Sequence, residues 1–179
     1  MTTTSTPSSP PQTIGADLID TLVGLDPASA LYATRHARHK VVNATQASQV
    51  LFFSSHTDSL PRHERLLIAL YASLLSRSHA MATYYRQELA DSDAATVVSD
   101  AVEADTVDWL PASRIKAMLV FTRTLITRPI DGDKAALTTL REAGVSTPDI
   151  VTLAQLVAYL SYQIRVVAGL SAMKALESA

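Results

Sequence analysis

A chain of 179 residues that is 47% hydrophobic, 18% charged and 6% aromatic, with only 5 glycines, can bury a sizeable core and reads as all-helical. Its net charge of −2 supplies no basic field to hold nucleic acid or an anionic membrane surface. Because it has no cysteine, disulfides, thiolate nucleophiles and zinc–thiolate sites are excluded, and the composition fits a cytoplasmic protein.

Residues 1–13, rich in Ser, Thr and Pro, have neither a basic start nor an apolar core. They read as a disordered tail rather than a signal peptide or membrane anchor. Residues 14–179 are expected to form a single domain. Ile14, Leu18, Leu22 and Leu25 mark a first helical stripe. Asp26-Pro27 then offers an N-cap and an N1 proline for a helix running to about Val42, and Gln46 to Phe53 reads as a separate helical segment. Ser59 is the start signal for the next helix, with Glu64 in its early turns and Leu67, Leu70, Tyr71, Leu74 and Leu75 on its apolar face. The pattern falters at Ser76-Arg77-Ser78 and resumes from Ala80 to Leu89, so two helices meet near residue 76.

Residues 91–113 read as a polar connection carrying one short helix. Ile115, Met118, Leu119, Thr122, Leu125 and Ile126 define a further amphipathic helix closed by Pro129. Asp133 caps another that Gly144 ends, and Ser146-Thr147-Pro148 opens the last and longest. In that last helix, Arg165 is the one charge between Ile150 and Met173. Leu153, Val157, Leu160, Ile164 and Val167 follow four- and three-residue steps, and apolar residues occupy other faces as well. Thr152, Gln155, Ser161, Gln163 and Arg165 interrupt the apolar run, against a membrane span. The expected roles are central core helix and homo-oligomer interface together.

Two stretches, LPRHERLLIALYASLLSRSHAMATYY and LREAGVSTPDIVTLAQLVAYLSYQIRVVAGL, resemble the carboxymuconolactone decarboxylase and AhpD-like alkylhydroperoxidase superfamily. The resemblance implies an AhpD-like helical bundle. In that superfamily's signature a glutamate opens a helix, a Cys-x-x-Cys pair follows twelve residues later, and a histidine lies four residues beyond. Counting from Glu64, these positions hold Ser76, His79 and Thr83, so only the glutamate is kept. The family's peroxidase or decarboxylase activity is what the resemblance implies. Serine has no redox ladder, so thiol-type peroxide turnover is excluded for this chain.

The residues that remain suit acid–base chemistry, although a glutamate near a helix start more often serves the helix dipole and a histidine at a helix joint more often bonds a backbone carbonyl, which would leave a structural polar network or a vestigial pocket. His79 lies three residues after Ser76, on one helical face, and Glu64 would complete a Glu–His–Ser constellation if the fold returned it to the joint. Tyr84 is a candidate proton donor or oxyanion ligand, and Arg165 a candidate for holding a substrate carboxylate, although a lone charge in an apolar helix is more often a buried or intersubunit ion pair with an acidic residue. The second class of function is a non-catalytic scaffold or binding subunit, partnering a cysteine-containing relative. His36 and His39 have a spacing that would suit one metal, but no third ligand accompanies them, and His63-Glu64 is not followed by the second histidine of a zincin motif. No metal or cofactor is therefore expected.

Overall fold

The structure, a computed structural model, describes residues 16–54, 60–90 and 96–177. Among these residues there are helices and no strand, as the composition and the 3.6-residue periodicity require. The elements are α1 (Leu18–Val23), α2 (Ala30–His36), α3 (His39–Phe53), α4 (Arg62–Leu75), α5 (His79–Ala90), α6 (Thr96–Glu103), α7 (Arg114–Thr127), α8 (Lys134–Glu142) and α9 (Thr147–Glu177), with short 3₁₀ turns at Val107–Trp109 and Pro129–Asp131. The expected tail, Ile14 and the Ser59 start signal lie outside the described residues.

Helix α4 is the centre of the bundle. Every residue from Arg65 to Ser73 is buried, because α3, α5, α6, α7 and α9 all pack around it. A helix enclosed on all sides has to be apolar on all sides, which explains the Leu-Leu-Ile-Ala-Leu run at residues 66–70. Arg65 is the exception in this core. Its guanidinium is 1% exposed and donates to the carbonyls of Phe52 and Ser54, so a buried cation closes the C-terminal end of α3. Arg62 adds a third bond, from Nε to the Phe53 carbonyl at 3.0 Å, and also pairs with Glu88 near the end of α5. That pair makes α4 and α5 antiparallel neighbours.

The joint near residue 76 is as the sequence predicts. Its geometry is a Schellman turn: the Ser78 N–H donates to the Ser73 carbonyl and the Arg77 N–H to the Leu74 carbonyl, both at 2.9 Å. Arg77 takes the left-handed position, φ 55°, where glycine is usual, and Asp105 does the same after α6 with φ 53°. Gly144, predicted as the stop of α8, occupies the equivalent position at φ 83°.

Three expectations need correction. The Asp26 carboxylate binds the Ala28 N–H at 2.8 Å in a local turn, so the cap of α2 falls to Ser29, which accepts from the Tyr32 N–H. The break expected between Val42 and Gln46 is instead at Ala37-Arg38, and α3 runs through that stretch uninterrupted. The connection after α5 holds both α6 and a 3₁₀ turn.

Replacing Arg77 with glycine should relieve the left-handed backbone and stabilise the fold by about 1 kcal/mol, measured by chemical denaturation. Gly144→Ala should destabilise it by a similar amount, since that position is left-handed too.

Candidate functional site

Glu64 is in the first turn of α4, where the partial positive charge of the helix N-terminus favours a carboxylate. Asp149 holds the same place in α9, with Ser146 accepting its N–H at 3.2 Å. Between them stands Arg114, the first residue of α7. It donates from Nη1 to Glu64 Oε2 at 2.5 Å and from Nη2 to Asp149 Oδ2 at 3.1 Å. The Glu64 and Asp149 side chains are 13% and 10% exposed, so the pairing is largely shielded from water. The other Asp149 oxygen, Oδ1, is buried with no hydrogen-bond partner.

Glu64 therefore has a structural partner, and the helix geometry keeps it from the joint. From residue 64 to residue 76 an unbroken α-helix rises about 18 Å, farther than the Glu64 and His79 side chains span together. His79 begins α5 just beyond the joint and is exposed. Tyr84 is half-buried farther along α5, edge-on to Tyr85 with ring centroids 5.1 Å apart. Burial first, then the Glu88 charge, push the Tyr84 phenol above its usual value, partly offset by a Gln49 hydrogen bond and the Arg62 charge. At neutral pH it is a hydrogen-bond donor and not a base. The structure does not gather Glu64, His79 and Ser76 into one acid–base unit.

It does bring Ser76 and Arg165 together. Ser76 closes α4 at the joint, Arg165 is on the outer face of α9, and both line a cavity of about 420 Å³. Leu125 and Ile126 from the end of α7, Pro129 from the 3₁₀ turn that follows it, and Ser161, one turn before Arg165, complete most of its wall. Arg165 is exposed and makes no ion pair among the described residues. The lining thus combines four apolar side chains with two serines and an arginine. That arrangement can hold an anion, because a guanidinium offers two parallel donors to a carboxylate.

A second polar group escaped sequence reasoning. Tyr85, fully buried, donates to Gln163 Oε1 at 3.2 Å and to Gln49 Oε1 at 3.4 Å. Tyr159 donates to the same Gln49 oxygen at 3.3 Å and to the Thr45 carbonyl at 3.0 Å. Burial raises the Tyr85 and Tyr159 phenols well above their ordinary range. They stay neutral and lock α3, α5 and α9 together. Neither this network nor the Arg114 bridge leaves a local signal, since the partners are 35 to 114 residues apart.

His36 lies 2.7 Å from Asp20 and stacks on Tyr32, ring centroids 3.9 Å apart. Among the described residues no group of three metal-ligating side chains occurs. No family model and no curated protein matches the chain.

Arg114→Met would strand two shielded carboxylates and should cost about 3 kcal/mol of stability in urea titration. Adding Glu64→Gln and Asp149→Asn should restore most of it, because the loss comes from unpaired charge.

Proposed function

We propose that this chain is a cysteine-free, AhpD-like binding protein, without acid–base catalysis, that holds a small carboxylate in the cavity between the α4–α5 joint, the end of α7 and α9. The observation that carries this reading is the exposed guanidinium of Arg165, unpaired among the described residues, beside Ser76 and Ser161 in that cavity. The carboxylate would face Arg165 and the hydroxyls, and an apolar body would lie against Leu125, Ile126 and Pro129. Membership of the carboxymuconolactone decarboxylase and AhpD-like superfamily rests on the two stretches quoted above and on the all-helical fold.

The acid–base reading, with Glu64, Ser76, His79 and Tyr84 as a catalytic set, has less support. Glu64 is engaged by Arg114 some 18 Å along α4 from Ser76, and His79 is exposed. Proton transfer would need the Arg114 bridge to open first.

Calorimetric titration with a panel of small aliphatic and aromatic carboxylates, each beside its neutral amide, tests the proposal. Carboxylates should bind and amides should not, and Arg165→Gln should weaken binding by about 10- to 100-fold, the worth of a charge-assisted pair. His79→Ala should leave the affinity unchanged. Equal binding of acid and amide would contradict the assignment.

A further inference from the structure

Helix α9 is far more apolar than its burial explains. An 18-residue window of it has mean hydropathy 1.4, yet only 39% of that window is buried. The inner stripe, which includes Leu153, Leu156, Leu160, Ile164 and Val167, packs on the bundle. The opposite face is exposed and has a period of its own. From Val151 to Leu176 every position at alternating four- and three-residue steps is exposed, the spacing of a two-helix seam.

That seam is self-complementary when read backwards. Laid against a second copy running the other way, Val151 meets Leu176 and Gln155 meets Ala172. Nearer the centre Ala158 meets Gly169, a small–small layer that lets the two backbones approach closely. Tyr162 meets Arg165 beside the two-fold axis, where a guanidinium can lie over a ring face. No acidic side chain interrupts the face, and Arg165 is its one charge between Ile150 and Met173.

The area is sufficient. A seam about 38 Å long and about 11 Å wide covers roughly 400 Å² on each copy. Along the Tyr162 side, α3 forms a shallow groove of about 370 Å³ with α9, and its Val41 is 49% exposed. Including this flank on both copies brings the total to about 1,000 Å², the threshold a specific interface has to clear. A membrane is the poorer occupant, since Gln155 and Arg165 are on the same face and the other side of the helix is already packed on protein.

We infer that the exposed face of α9 is a homodimer interface, in which two copies pair antiparallel with Ala158 of each opposite Gly169 of the other. The partner's Tyr162 then covers the mouth of the cavity at Arg165, so the anion site lies beside the dyad. The pairing stands independently of what the cavity binds.

The absence of cysteine makes the register directly testable. Sedimentation equilibrium of the wild-type chain at tens of micromolar should give twice the chain mass. Ala158→Glu, exposed in the monomer, should keep the helical circular dichroism but weaken association by about 100-fold. Ala158→Cys with Gly169→Cys should form a covalent dimer under mild oxidation, and a Cβ at residue 169 meets nothing within 4 Å. Either cysteine alone should not cross-link, because like positions are about 16 Å apart along the axis. A monomeric wild type, cross-linking by a single cysteine, a dimer that the double variant fails to link, or flotation of the wild type with phosphatidylcholine vesicles would each overturn the inference.

Discussion

Arg114 connects three helix starts. Glu64 and Asp149 each sit where a helix N-terminus favours a negative charge, and the guanidinium between them neutralises one of the two while bonding to both. Such a bridge fixes the relative positions of α4, α7 and α9, the three helices that also wall the Ser76–Arg165 cavity at their other ends or middles. It also decides what Glu64 can do. A carboxylate held by a partly buried arginine is a poor general base, since a proton acceptor must first give up that partner.

The bundle's polar interior is paired in the same way, with Arg65 Nε and Asp149 Oδ1 the buried side-chain atoms left without a partner among the described residues. Arg65 is nearly inaccessible, yet it answers the free carbonyls at the end of α3. The tyrosine–glutamine network is neutral and satisfies its members from three helices. Buried polar groups that are mutually bonded specify one packing arrangement and do little chemistry. Arg165 differs from all of them. It sits outside, on a long helix, with a cavity beside it and no carboxylate to answer it among the described residues. Function is therefore sought on the outer face of α9 and not in the core.

Much of the fold was legible because it depends on local rules. The joint at Ser76-Arg77-Ser78, the Asp133 cap and the Gly144 stop all mark element boundaries within a few residues of sequence. The caps that failed did so for local reasons too: Asp26 found a nearer N–H, and nothing in the composition of Ala37-Arg38 announces a break. The site was less legible. The Glu64–Arg114 contact spans 50 residues and the Gln49–Gln163 contact 114, so no spacing or periodicity encodes them. Ser76 and Arg165 could each be singled out, one as a helix joint and one as a lone charge. That they share a cavity is a tertiary fact.

The sharpest measurement is a crystal structure of the chain grown with a small aromatic carboxylate. The ligand should lie on Arg165, beside Ser76 and Ser161, while Arg114 still bridges Glu64 and Asp149. A ligand bound against Glu64 or His79, with the Arg114 bridge opened to admit it, would contradict the structural role of Glu64 and restore acid–base chemistry.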